Sequence, residues 1–199
     1  MPIRKIIFIA CLGFVSMNAT SNIKVSKTQG ALPDSSVYQL TSTWESDVGK
    51  PIQLQSLRGK PRVMTMFFSQ CESICPMLMG QLKLLEMELP KDLKQRFGFV
   101  LVTFDVERDS VESLRDYRKR LGFSLDNWKI LRGNADDTRE LALLLGVEFQ
   151  PGGKGQIDHN GLIVLLDEEG RIVKKVSEIK DRSAFISEMQ RMINPQGKF

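Results

Sequence analysis

The stretch "PRVMTMFFSQCESICPMLMGQL", residues 61–82, carries two of the chain's three cysteines, Cys71 and Cys75, and its reading decides the fold. "PRVMTMFF" (61–68) is a short apolar run following the turn-like "RGKP", as expected of a buried strand. The cysteines follow at once. Pro76 then suits the first turn of a helix, where its missing N–H costs nothing. Leu78, Leu82, Leu85 and Leu89 recur at helical spacing until Pro90 ends or interrupts the pattern.

Working outward, "FGFVLVTFD" (97–105) reads as a second buried strand and "VESLRDYRKRLG" (111–122) as a helix with a glycine stop. "WKILRG" (128–133) is a short strand, and "ADDTRELALLLG" (135–146) is a helix ending at Gly146. "FQPGGKGQIDHN" (149–160) reads as a loop. "GLIVLLD" (161–167) and "RIVKKV" (171–176) form a hairpin joined by "EEG", and "RSAFISEMQRMI" (182–193) is a closing helix. Upstream, "VYQLTSTWES" (37–46) and "KPIQLQSL" (50–57) flank the turn residues Asp47-Val48-Gly49 as a small hairpin. Alternating strands and helices imply a largely parallel sheet covered on both faces, to which the late hairpin adds antiparallel strands. The expected class is α/β: a thioredoxin-like fold with a central mixed sheet flanked by helices and an N-terminal hairpin. Such a fold keeps its reactive thiols just after the first central strand, at a helix start.

The 199 residues suit one domain with some extra length, and 42% hydrophobic content permits a real core without disulfide staples. The net charge is +4, from 28 Lys+Arg against 24 Asp+Glu. Charges of both signs alternate, as in "RDYRKRLG", and no basic stripe carries interleaved aromatics, which argues against nucleic-acid binding. The opening "MPIRKIIFIACLGFVSMNAT" has Arg4 and Lys5, an apolar run from Ile6 to about Met17, then small and polar residues. That is the pattern of an export signal over 1–19, cleaved after Ala19. Cleavage leaves two cysteines in an oxidising compartment, the periplasm of a bacterium. An uncleaved anchor facing the periplasm is the alternative. Without Arg4 and Lys5 the balance is 26 against 24, or +2. Polar residues 20–36 read as a flexible leader to a domain over 37–199.

A cysteine pair with three residues between fits a disulfide, a redox couple or two ligands on one metal ion. If helical, positions i and i+4 lie on one face about 6 Å apart, within disulfide range. A helix N-terminus favours the thiolate, which is both nucleophile and metal ligand. A bridge closing so few residues would restrict the unfolded chain little, so a purely structural disulfide explains the spacing poorly. His159, the only histidine, lies in "GQIDHNGLIVLLD" before a strand. In a thioredoxin-like sheet the loop entering that strand returns beside the thiols, so Cys71, Cys75 and His159 can form a Cys₂His set. Soft thiolates with one imidazole suit copper, whereas zinc asks for four ligands. Asp158 is adjacent, to orient the ring, complete the coordination, or simply be solvated. Met64, Met66, Met77 and Met79 surround the thiols in sequence. They read as adaptable core filler, with thioether help in copper transfer as the alternative.

"FFSQCESICP", "VTFDVERDS" and "IDHNGLIVLLDEEGRI" together resemble the three signature segments of the Sco/SenC family, over residues 34–193. These are thioredoxin-fold copper-binding proteins that help assemble the CuA centre of cytochrome oxidase. The resemblance implies Cys71 and Cys75 as metal-binding thiols and His159 as the copper-binding histidine. Asp105 matches an acidic position near the site, although the family's usual next residue is Pro and this chain has Val106. "ESI" stands between the cysteines where "PDV" is commoner, which puts the charge of Glu72 beside the site.

Two functions follow. As a copper metallochaperone, the protein takes Cu(I) or Cu(II) at Cys71, Cys75 and His159. It passes the ion to a recipient copper protein such as cytochrome oxidase subunit II. As a periplasmic thiol–disulfide oxidoreductase, it cycles Cys71 and Cys75 between dithiol and disulfide to reduce target cysteines, and a thiol reductant protein restores it. A peroxiredoxin-type peroxidase fits poorly, because Met64 and Phe68 stand where that family's Pro and Thr would precede Cys71.

Overall fold

Two fully buried runs, Val63–Phe67, apolar but for Thr65, and the wholly apolar Phe99–Val102, lose most by contact with water and therefore build the middle of the sheet. A computed structural model describes residues 30–194, and residues 32–194 fall within one compact unit. The expected export signal and all but the end of the expected leader lie outside the described residues. Residues 32–36, assigned above to the leader, pack on the body: Ser36 is buried, and the Val37 N–H donates to Gly170 O at 3.0 Å.

The strands are β1 (Thr43–Ser46), β2 (Pro51–Gln53), β3 (Arg62–Phe67), β4 (Gly98–Thr103), β5 (Trp128–Arg132), β6 (Phe149–Pro151), β7 (Ile157–His159), β8 (Ile163–Leu166) and β9 (Ile172–Val176). The helices are α1 (Ile74–Glu88), α2 (Lys91–Arg96), α3 (Val111–Leu121), α4 (Ala135–Leu145) and α5 (Arg182–Ile193). Seven strands form one mixed sheet in the order β2-β1-β5-β4-β3-β8-β9. Only β3–β4 and β4–β5 pair in parallel, so the parallel part is three strands rather than most of the sheet. β1–β2 and β8–β9 pair antiparallel because tight turns, not crossover helices, connect them, and β1–β5 and β3–β8 are antiparallel as well.

The expected N-terminal hairpin is present as β1–β2, shorter than its sequence because 3₁₀ turns take up 37–39 and 54–57. The Asp47 carboxylate in its turn accepts from both Nε and Nη2 of Arg118 on α3, and all of this is buried. Arg118 also donates to Ser124 O at 2.9 Å and Trp128 O at 3.0 Å, which pins the hairpin to the end of α3 and the start of β5.

Helix ends follow local chemistry. Ser110 and Asn134 cap α3 and α4 by accepting from the N–H three residues on. Gly122 and Gly146 close those helices in the left-handed conformation. On α1, Leu78, Leu82, Leu85 and Leu89 all turn inward. The helix stands between the end of α3 and α5: Lys83 Nζ donates to Gly122 O at 3.1 Å, and Glu88 accepts from Arg182 at 2.8 Å. Pro90 caps α2, a short helix the sequence reading did not separate from α1.

The stretch 149–160, expected to be a loop, is instead a two-stranded sheet of its own, β6 with β7, apart from the main sheet. No helix among the described residues is long and apolar enough to cross a membrane.

Candidate metal centre

The two thiols sit differently on the chain. Helix α1 begins at Ile74, so Cys75 lies in its first turn while Cys71 precedes it. The pair is therefore not helical i and i+4, as the spacing allowed. Instead Cys71 folds over the helix start, and the Cys75 N–H donates to Cys71 Sγ at 3.3 Å. The turn that delivers Cys71 is held from beneath by Asp109, which is wholly buried. Its carboxylate accepts from the Ser69 N–H at 3.0 Å, from the Ser69 hydroxyl, and from the Thr103 hydroxyl at 2.5 Å. Both cysteines are free thiols, Cys71 half-buried and Cys75 buried.

His159 closes β7 and reaches the thiols from the other side. Its Nε2 lies 3.8 Å from Cys71 Sγ and 3.6 Å from Cys75 Sγ. The three donor atoms lie within 4.8 Å of one another. The opposite ring nitrogen, Nδ1, is 3.1 Å from Asn160 O. With Nδ1 donating to that carbonyl, Nε2 is the free corner of the ring. It donates to Cys71 Sγ when it carries a proton and offers its lone pair when it does not.

Three further features fix the ring. Phe104 lies 4.9 Å from it and Phe68 meets it edge-on at 6.0 Å, centroid to centroid. Asn160 ties the base of the hairpin, because its Nδ2 donates to Gly146 O at 3.1 Å and its Oδ1 accepts from the Glu148 N–H at 3.0 Å. Gly161 lets the segment close on α1.

The environment splits the two thiols. Burial alone would raise Cys71, but hydrogen bonds from His159 and from the Cys75 N–H outweigh it and pull its pKa down to about 7. The free N–H groups at the helix start contribute to this lowering after His159, whereas Cys75, the thiol inside the first turn, is raised. Burial pushes Cys75 far above the ordinary thiol range, and its neighbour Cys71 adds to the rise despite a hydrogen bond from the Phe68 backbone. The pair is one half-buried thiol that loses its proton readily and one buried, protected thiol.

The sulfur–nitrogen spacing suits a single ion. Bonds of about 2.3 Å to sulfur and about 2.0 Å to nitrogen, spread about 120° apart, put sulfur and nitrogen about 3.7 Å from each other. The two Sγ–Nε2 distances bracket that value.

The remaining sequence candidates fall outside this group. Asp158 shares β7 with His159, but side chains alternate along a strand. His159 is opposite Phe149 and faces the body, whereas Asp158 is opposite Gln150 and exposed. Asp105 is buried with its carboxylate on Arg108, Nε to Oδ2 2.5 Å, and so does not complete the donor set. Met64, Met66 and Met79 are core residues, while Met77 is 51% exposed on the outer side of α1. Sequence reasoning passed over Asp109, Arg108, Asn160 and Gly161. The first two stood in plain view as a charged doublet just beyond a buried strand.

The SCO1/SenC family profile matches residues 28–194. A protein of Stutzerimonas stutzeri described as a candidate copper-binding protein is 26% identical over 127 residues, which cover 62% of this chain and 61% of that protein. The chain thus spans about three-fifths of that relative's length. Among solved structures, Bradyrhizobium japonicum ScoI with copper bound superposes with a TM-score of 0.65 at 22% identity, covering 76% of this chain and 96% of that one. Yeast Sco1 with copper bound superposes with a TM-score of 0.66 at 23% identity, covering 77% and 86%. At these identities the two structures establish the fold.

Proposed function

Because this chain belongs to the SCO1/SenC family, we propose that it is a copper carrier that takes one ion at Cys71, Cys75 and His159 and surrenders it to a recipient copper protein. The observation that carries the reading is the convergence of two sulfurs and one imidazole nitrogen, with Nδ1 already engaged by Asn160 O. Thiolates favour Cu(I), and the imidazole serves either oxidation state. Cys71 is half-exposed, so a recipient's ligand can displace the outer thiolate first while Cys75 and His159 still hold the ion. Cytochrome oxidase subunit II, whose CuA centre is built from soft ligands, is the recipient that the family resemblance suggests. The periplasm is the proposed place of work, with the apolar segment near residue 10 as export signal or anchor.

The asymmetry of the thiols favours a second, compatible role. The Cys71 thiolate attacks a target disulfide, forming a mixed disulfide and releasing one target thiolate. Cys75 then loses its proton and attacks Cys71 Sγ, which releases the second target thiolate and leaves a Cys71–Cys75 disulfide. Two electrons pass to the target, and a thiol reductant protein returns them. The oxidised pair cannot hold copper, so the two roles alternate on one site.

Copper titration of the reduced protein beside Cys71→Ser and His159→Ala tests the carrier reading. One ion per chain, with binding lost in the first variant and weakened in the second, is the expected result. Copper affinity indifferent to His159→Ala overturns the donor assignment. Turnover on a protein disulfide that survives His159→Ala supports the reductase role, and no turnover with any disulfide substrate removes it.

A further inference from the structure

The β6–β7 hairpin carries His159 yet shares no strand pairing with the seven-stranded sheet. Its orientation depends on side chains. Asn160 holds the base, and in the first strand pair, opposite His159, the Phe149 ring stacks on Phe104 with centroids 5.0 Å apart. At the tip, Arg108 Nη1 donates to Gly155 O at 2.5 Å. Gly155 has φ of 74°, a conformation glycine adopts at little cost, and it turns its carbonyl toward the guanidinium.

Arg108 is itself held in place. Its Nε donates to Asp105 Oδ2 at 2.5 Å, and its backbone N–H donates to Asp105 Oδ1 at 3.3 Å. The guanidinium carbon lies 5.8 Å from the centroid of the Phe68 ring, whose own edge-on neighbour is His159. Asp105 is buried at the end of β4 beside the parallel core strands, so the chain from Asp105 through Arg108 to Gly155 joins the rigid centre to the hairpin tip. None of the three polar contacts that build this chain touches Cys71 or Cys75.

We propose that Arg108, seated by Asp105, is a positioning residue that latches the β6–β7 hairpin and so sets His159 Nε2 at its distance from the thiols. The latch governs the third donor and leaves the first two untouched. It deepens the copper-carrier reading and rests on it. Two thiolates retain Cu(I) without the imidazole, whereas Cu(II) draws on the nitrogen donor. Release of the latch therefore lowers Cu(II) affinity and spares Cu(I).

The test uses the full reduced chain with Arg108→Met, Asp105→Asn, His159→Ala and the double variant Arg108→Met/His159→Ala. In the metal-free protein, amide hydrogen exchange at residues 156–160 is expected to speed up about tenfold in Arg108→Met, with β3 and β4 unchanged. In competition titrations, Arg108→Met and Asp105→Asn are each expected to lower Cu(II) affinity about tenfold, the usual scale for a group that orients a ligand. Cu(I) affinity is expected to hold within about threefold, and Arg108→Met is expected to cost nothing further in the His159→Ala background. Unchanged exchange at the hairpin, or an equal Cu(II) loss with and without His159, overturns the latch. Cu(II) affinity that ignores His159→Ala alone overturns the donor assignment instead, and the exchange result then judges the latch separately.

Discussion

Gly161 lies so close to Ile74 that a β-carbon placed on it would sit 2.6 Å from Ile74 Cγ2 and 3.0 Å from Leu78 Cδ1. The glycine thus joins the segment that ends in His159 to the first turn of the helix that carries Cys75. A β-carbon here would force Ile74 or the segment itself to shift, since real β-carbons do not stand that near another carbon.

Gly161→Ala should therefore push the histidine segment off the helix. Overpacking of this kind costs about 1–3 kcal/mol, which a urea unfolding curve would register. Cu(II) affinity should fall along with stability. A variant of full stability and wild-type Cu(II) affinity would show that the approach does not set the site.

Cys71 and Cys75 should differ in reactivity. In the reduced, metal-free protein, alkylation by iodoacetamide should label Cys71 first, with a rate rising through pH of about 7, while Cys75 stays protected. Peptide mapping after limited labelling reads both. The linkage has a definite sign. Cys71 is depressed in the fold, so its contribution to stability is complete above the ordinary thiol value of about 8.5 and is lost as pH falls through about 7. Cys75 is raised, so it works in the opposite direction at more alkaline pH. Equal labelling of both thiols at neutral pH would contradict the asymmetry.

Asp109→Ala should loosen the turn that presents Cys71. It strands the Ser69 N–H and two hydroxyls around a buried position, and each unsatisfied group costs about 1–3 kcal/mol. A loss of about 3 kcal/mol by denaturant unfolding is expected, together with a changed Cys71 alkylation rate. A loss confined to stability, with Cys71 reacting as before, would make Asp109 a core residue alone.

Arg118→Ala provides the contrast. Removing one partner of the buried Asp47–Arg118 pair should cost about 3–5 kcal/mol, because it leaves a buried carboxylate without its cation. The pair ties β1–β2 to α3 and makes no contact with the donor group, so copper stoichiometry in the folded fraction should not change. A lost ion would show that the copper site depends on the fold far from it.

The sequence is most legible where the pattern is locally enforced. Val63–Phe67 and Phe99–Val102 could only be buried strands, and the helix ends at Gly122 and Gly146 were marked by the residue that closes them. The majority of antiparallel pairings was less visible, because β1 is four residues long and its partner β5 is remote in the chain. The β6–β7 pair was missed since "FQPGGKGQIDH" is rich in glycine and each strand has three residues, too few for a period to register. Cys71, Cys75 and His159 stood out as rare residue types. Asp105 was drawn to the site by position, but the charge that occupies it, Arg108, lies three residues on and binds back on itself, which no spacing rule reports. Asn160 acts through its backbone carbonyl and through side-chain amide bonds to backbone groups remote in the chain, and Gly161 acts through a missing side chain, so neither leaves a chemical signature in sequence.

The central claim is that two thiolates and one imidazole hold a single copper ion. Copper K-edge X-ray absorption of the loaded protein reads that donor set directly. The account predicts two sulfur neighbours at about 2.3 Å and one nitrogen at about 2.0 Å, with the nitrogen shell lost in His159→Ala. A first shell of oxygen and nitrogen alone, or one unchanged by His159→Ala, would contradict it.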